Sequence, residues 1–187
     1  MAEAGRMSSL RRRLLIALIC LGGLVLILGL ADVELARHHT RTSTSVTLLA
    51  PAGGVSKPSG VVLFIEKTEP PALGEALKDP LTKQLESRGV SVRLLEQPLT
   101  ASDRPGVSVS LRAAPLDWNP LRASATVTAR LQVFGGSAST ATARGKVTVT
   151  DTTTGLTSRT AYLRHLAEVA AGGIAQTLTE TLAPTSP

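Results

Sequence analysis

Two kinds of apolar pattern divide this chain into a candidate membrane segment and one folded domain. An unbroken apolar run, LLIALICLGGLVLILGLA, fills residues 14–31 without a charged side chain. From Val61 onward, apolar residues instead recur at the spacings of strands and helices. The pattern predicts five regions: a basic tail at 1–13, a transmembrane segment at 14–31, a tether at 32–60, an α+β domain at 61–183 and a disordered tail at 184–187. Within the tether, Ser45 to Ala50 could form a short edge strand.

The domain opens with a strand and a helix. Val61 to Ile65 is a short, fully apolar run, which is typical of a central strand. Leucine then recurs at every fourth position from Leu73 to Leu85 and predicts a helix with one buried side. Pro80 falls inside this series, so we expect the helix to restart or kink there, and Gly89 to end it.

Four stretches in which apolar and polar residues alternate predict an antiparallel meander with one solvent-exposed face. They lie at 90–95, 107–115, 122–134 and 140–150, with turns predicted at 117–120 and 151–155. Helical spacing then returns from Tyr162 to Leu182, with Ser158 or Thr160 as the capping residue and Gly172-Gly173 in the interior. A bend or a close contact with the sheet would account equally well for the two glycines.

The order strand, helix, four strands, helix (β-α-β-β-β-β-α) predicts an α+β fold. Because only one side of the strands is apolar, both helices should cover that side. We expect a two-layer sandwich with a mainly antiparallel sheet of four to five strands, preceded by one N-terminal transmembrane helix.

The flanks of the apolar run at 14–31 predict its orientation. A helix of this length spans about 27 Å, close to the hydrocarbon thickness of a bilayer. Three arginines precede it and Asp32 and Glu34 follow it, so the positive-inside rule keeps the N-terminus cytoplasmic. The expected location is the inner (cytoplasmic) membrane, single-pass, with the C-terminal domain periplasmic or extracellular. Cleavage after Ala31 would make the protein secreted, and a buried soluble helix is the third reading.

Charge and cysteine content narrow the possible partners. The net charge is +6, but the four Arg and one Glu of residues 1–31 supply half of it, so the exported part is only mildly basic. With 2% aromatic residues as well, nucleic acid is not an expected partner. The single cysteine, Cys20, excludes an intrachain disulfide. Acylation of Cys20 is an alternative, although Ile19 stands where a lipoprotein signal has a small residue.

Catalytic motifs are missing from the sequence. It contains no Gly-x-Ser-x-Gly, His-Glu-x-x-His or Ser-x-x-Lys pattern. His38 and His39 fall in the predicted tether without further ligands at a usable spacing, and His165 stands alone in the last helix. We therefore expect no enzyme activity, no catalytic residues, no metal and no cofactor.

One surface carries a candidate contact site. The outward positions of the predicted strands include a set of cations without Asp or Glu in the strand interiors: Arg93, Arg112, Arg122, Arg130, Arg144 and Lys146. Trp118, in a predicted turn, is either an exposed anchor for a partner or part of the core. A cationic face suits anionic lipid or an acidic protein, while the competing reading is a face that only favours solubility.

The segment Gln-Leu-Glu-Ser-Arg-Gly at 84–89 and the order of elements after it resemble the YajG-type envelope lipoproteins and the transport-auxiliary lipoproteins of bacteria. The resemblance covers residues 45–183. It implies a non-enzymatic accessory or assembly protein of the cell envelope that binds a larger transport or secretion complex. Members of those families are acylated at an N-terminal cysteine, so this chain would differ in being held by a membrane helix. The alternative function is binding of anionic lipid through the cationic face.

Overall fold

The computed structural model describes residues 15–16, 19–20, 22–23, 34–49, 60–66, 68–100, 105–135 and 141–182. Their main elements are β1 Glu34–Leu48, β2 Gly60–Ile65, α1 Pro71–Glu86, β3 Ser91–Leu95, β4 Gly106–Asn119, β5 Arg122–Phe134, β6 Ala143–Thr157 and α2 Arg159–Leu182. The predicted α+β class is confirmed.

Most of the predicted membrane segment at 14–31 lies outside the described residues, as do the tail at 184–187 and residues 50–59 of the tether. The described residues between 15 and 23 are helical. Among the helices that the structure describes, none combines the length and the apolar character needed to cross a membrane.

All six strands belong to one mixed sheet with the order β1-β6-β5-β4-β2-β3. The pairs β6–β5 and β5–β4 are antiparallel, which confirms the last three strands of the predicted meander, and β1 pairs antiparallel with β6. The first predicted meander strand, at 90–95, is β3 and does not pair with β4. The pairs β4–β2 and β2–β3 are parallel. A helical crossover such as α1 joins parallel neighbours, so the strand–helix–strand order produces this half of the sheet. The expected four to five strands are corrected to six among the described residues, and three of their five pairs are antiparallel, so the sheet is mixed but mainly antiparallel as predicted.

Strand β1 replaces most of the predicted tether. Residues 34–48 pair with β6 over its whole length, from Glu34 opposite Thr157 to Leu48 opposite Ala143. The tether prediction is therefore wrong for residues 34–44, while the short edge strand expected from Ser45 overlaps the end of β1. From Ala36 to Thr44 the inward positions carry Ala, His and Thr, and large apolar side chains appear there only at Val46 and Leu48. Threonine favours extended backbone.

Two further strands run longer than predicted. β4 continues through Trp118, and the chain reverses at Pro120-Leu121, where the Asn119 side chain accepts hydrogen bonds from two backbone N–H groups. β6 continues through residues 151–157 in place of the predicted turn. A run of β-branched threonines from Thr152 to Thr154 favours this extension.

Both helices pack on one side of the sheet and share a single core with it. The four leucines of α1 are fully buried, as predicted. The helix passes through Pro80 without a restart, and the positive φ of 76° at Gly89 confirms the predicted stop. In α2 the N–H of Ala161 donates to Oγ of Ser158 at 3.0 Å, so Ser158 is the cap.

Candidate functional sites

The side of the sheet opposite the helices, here called the outward face, carries the predicted cations. Alternation in β5 buries every second residue and points Arg122 and Arg130 away from the core. Cross-strand partners share a face, which assigns the following basic residues to the outward face: Arg37, Arg41, Arg93, Arg112, Arg122, Arg130, Arg144 and Lys146. Sequence reasoning missed Arg37 and Arg41 because β1 was assigned to the tether.

Three of these cations form a compact group. Arg130 of β5 lies directly opposite Lys146 of β6, and Arg144 lies opposite Gln132, one outward position along. Directly opposite side chains have Cβ atoms about 4.5–5.5 Å apart, and diagonal neighbours are within reach of long side chains. All three are exposed, and among the described residues no carboxylate is paired with them. We call Arg130, Arg144 and Lys146 the cationic triplet.

The other predicted cations are spread out or paired. Arg122 lies opposite Thr154, which also faces Arg37. Arg112 is paired with Glu69, with 3.5 Å between Nε and Oε2, and both side chains are largely exposed. Arg93 is on β3, at the far edge of the sheet. Among the described strand residues that point outward, the one carboxylate is Asp117.

Trp118 does not belong to the outward face. It lies opposite the buried Ala123 and packs against the core, because a register shift between Ala113 and Leu116 inserts one extra residue into β4. A one-residue slip exchanges the two faces of a strand. Of the two readings offered for Trp118, the structure therefore favours the core. Its indole N–H is buried, with no acceptor in the part of the chain that is described.

A second site lies on the helix side, where β1, β6 and α2 meet. Asp151 of β6 is fully buried. Its Oδ1 accepts a hydrogen bond from Thr40 at 2.5 Å, and its Oδ2 accepts one from Thr153 at 2.6 Å. Nδ1 of His38 lies 3.5 Å from Oδ2, and Nε2 of His165 lies 3.5 Å from Oδ1. We call His38, Asp151 and His165 the His–Asp cluster.

The environment of Asp151 favours its charged form. Burial alone would raise the pKa of this carboxyl group, but hydrogen bonds from Thr153, Thr40 and His38 and the charge of His165 lower it overall. Burial beside Asp151 also raises the pKa of Tyr162, whose hydroxyl lies 3.4 Å from the Asp151 backbone oxygen. The buried charge is thus held by several hydrogen bonds.

The two histidines stack on each other, with ring centroids 3.6 Å apart and planes 26° apart. His38 is 15% exposed and His165 is 21% exposed, so neither belongs to a solvated tether or stands alone, and both expectations are corrected. The ligand atoms of His38, Asp151 and His165 all lie within 4.8 Å of one another. This constellation could hold a metal ion, which the sequence did not indicate.

Comparison with known proteins gives the fold little context. No protein-family model matches this chain, and no curated protein matches it. Two solved structures of the PelC dodecamer from Paraburkholderia phytofirmans, one of them a single-residue variant, are each 18% identical to it. Each alignment covers 78% of this chain and 100% of the PelC chain, with TM-scores of 0.48 and 0.49. Similarity this low carries no information about what this chain binds.

Proposed function

We propose that this protein is a non-enzymatic accessory or assembly protein of the bacterial cell envelope. Its N-terminal apolar segment holds it in the inner membrane, and its outward face binds an acidic surface of a larger transport or secretion complex. The observation that carries the proposal is the cationic triplet. Like charges directly opposite each other on a sheet are destabilising, and Arg130 and Lys146 are so placed, with no carboxylate of the described residues paired with either. An anionic partner would supply the missing countercharge.

The shape and chemistry of the outward face favour a macromolecular partner. Small ligands bind in concave, mostly apolar pockets, whereas this surface is an open sheet face of arginine, serine and threonine. Arginine presents a planar fork of N–H donors that binds carboxylates in pairs. An acidic protein surface therefore matches the cationic triplet better than a small molecule does.

Anionic lipid is the second candidate. Rows of hydroxyl groups separate the cations on β5 and β6, for example Thr128 opposite Thr148 and Thr126 opposite Thr150. Arginine and hydroxyl donors together also suit phosphate head groups, and basic residues near a membrane surface bind acidic lipids. The same triplet would then contact lipid phosphates instead of protein carboxylates.

Charge reversal in the triplet tests the proposal and separates its two forms. Arg130→Glu and Arg144→Glu are compared with Arg159→Glu, which makes the same charge change at the exposed start of α2. The readouts are partner capture by crosslinking in native membranes and sedimentation with phosphatidylglycerol vesicles. We expect the two triplet variants to lose partner capture at least tenfold while the Arg159 variant keeps it.

Loss of vesicle binding with partner capture intact would select the lipid alternative. If both triplet variants keep partner capture and vesicle binding, the outward face is not the binding surface and the proposal fails.

Arg130→Glu is also expected to stabilise the fold. Glutamate at this position would face Lys146 across β5 and β6 and replace a repulsion by an ion pair. Such exposed cross-strand pairs contribute roughly 0.2–1 kcal/mol. Urea denaturation should therefore give a free energy of unfolding above that of the wild type, with Arg130→Gln between the two. If Arg130→Glu captures less partner but unfolds at a higher urea concentration, its loss of binding is not a loss of folding. If Arg130→Glu is less stable than the wild type, Arg130 and Lys146 do not repel each other measurably.

The anchor is tested by the mass of the mature protein. We expect the chain extracted from native membranes to retain residues 1–31, because the apolar run at 14–31 is long enough to stay in the bilayer. Intact-mass spectrometry of the membrane fraction measures this. A mature mass lacking residues 1–31 would remove the anchor from the proposal, and an added acyl mass on Cys20 would replace it by a lipid anchor.

A further inference from the structure

The His–Asp cluster has the composition of a transition-metal site. Imidazole nitrogen and carboxylate oxygen are the donors that zinc and its neighbours prefer, and two histidines with one carboxylate occur in such sites. In this chain the three residues come from β1, β6 and α2, so the sheet register and the helix packing bring them together.

The distances suit a single ion. With metal–ligand bonds of about 2.1 Å, donor atoms of a tetrahedral zinc site lie roughly 3.4 Å apart. The two nitrogen–oxygen separations in the cluster are both 3.5 Å, each to a different oxygen of Asp151, and the three ligand atoms lie within 4.8 Å of one another, so the donors must draw slightly closer to bind one ion. At 3.5 Å these contacts are at the long limit of a hydrogen bond, and the same nitrogens lie 2.8 Å from Oγ1 of Thr153 and 3.3 Å from Oγ1 of Thr40.

The surroundings supply the outer contacts of such a site. Thr40 and Thr153 donate to the two oxygens of Asp151 and fix the plane of its carboxylate. Oriented hydrogen bonds of this kind tune metal ligands. Capture of an ion requires one of the stacked imidazoles to turn, because each ligating nitrogen must point its lone pair at the metal. His165 is the more exposed of the two rings, at 21% against 15% for His38.

We infer that His38, Asp151 and His165 form a binding site for one divalent transition-metal ion of the zinc type, with water as the fourth ligand. The ion would link the first strand of the domain to its last helix. The site lies on the helix side of the sheet, and its occupation is independent of the function proposed for the outward face.

Zinc titration of the full chain tests the site. The protein is purified without a histidine tag, treated with EDTA and titrated with ZnCl2 in a calorimeter, with Co²⁺ absorption as a second readout of coordination. We expect one ion per chain, and at least a 100-fold loss of affinity in His38→Gln and in His165→Gln. His39→Gln is the matched control, because His39 is the next residue but points to the outward face, opposite Thr152.

Circular dichroism and melting in EDTA check that the variants fold. If His38→Gln or His165→Gln is unfolded, the test uses the wild type and His39→Gln. Zn²⁺ should raise the melting temperature of these two proteins by the same amount. Absence of saturable binding in the wild type would overturn the inference. So would wild-type affinity in His165→Gln, or a loss in His39→Gln equal to that in His38→Gln, which would place the ion on the adjacent histidine pair.

Discussion

Alanine at the two neighbouring glycines of α2 is expected to change the stability of the fold in opposite directions. A Cβ added at Gly172 meets no atom within 4 Å, so Gly172→Ala gains the helix propensity of alanine, about 1 kcal/mol. A Cβ added at Gly173 lies 2.7 Å from Cγ1 of Val147 and 3.2 Å from Cγ2 of Thr42. Both contacts are to β-branched side chains on the sheet, which have little freedom to move away.

We expect Gly173→Ala to lower the free energy of unfolding by roughly 1–3 kcal/mol, as is usual for overpacking in a core. Chemical denaturation of both variants measures the difference, and Gly172→Ala is the control for helix propensity. If both variants were stabilised, α2 would not approach β6 and β1 as closely as the structure places it.

Asp151→Ala is expected to lower the free energy of unfolding strongly. The side chain is fully buried and accepts hydrogen bonds from Thr40 and Thr153. Its removal leaves two hydroxyl groups and two histidines without their shared acceptor. Breaking a buried charged network by removing one partner costs about 3–5 kcal/mol. Thermal and urea unfolding in EDTA measure the loss, and Asp117→Ala on the outward face should stay within about 0.5 kcal/mol of the wild type.

The contribution of Asp151 should depend on pH. Its pKa is lower in the folded protein than the ordinary value of 3.8. The stability that its charge provides is therefore fully present above the unfolded pKa and is lost as the pH falls through the folded pKa. As the pH falls below the unfolded pKa of Asp151 and then through its folded pKa, the difference in unfolding free energy between the wild type and Asp151→Asn should therefore shrink. A difference that stays constant would show that the charge of Asp151 contributes nothing.

Much of the fold follows from local pattern, because many elements bury a regular series of apolar residues. The leucines of α1 repeat every four residues, and the inward residues of β5 alternate without a break, so both elements appear where predicted. The cap at Ser158 and the stop at Gly89 follow from residue types with a strong positional preference.

The first eleven residues of strand β1, at 34–44, escaped prediction because their burial depends on a distant partner. Its inward residues Ala36, His38 and Thr40 form no apolar stripe, and pairing with β6 supplies their environment. The His–Asp cluster escaped for the same reason: Thr40 and His165 meet although they are 125 positions apart. No spacing within a short segment could have indicated that site.

The sequence predicted which side of the sheet the outward cations lie on, but not which of them lie next to each other. Alternation assigns Arg130, Arg144 and Lys146 to the same side, yet only the register of β5 and β6 places Arg130 opposite Lys146. Trp118 is the reverse case, since the extra residue in β4 moves it to the inner side and no sequence signal marks that insertion.

The position of β1 sets the order in which the sheet can be completed. β1 precedes the other described strands in the chain, and its partner β6 follows about a hundred residues later. Pairings between such distant segments form slowly. Until β1 arrives, β6 is the open edge of a five-stranded sheet, with a row of unpaired backbone groups. The sheet is therefore complete only after β1 has paired with β6. The step that completes the sheet also brings His38 to Asp151.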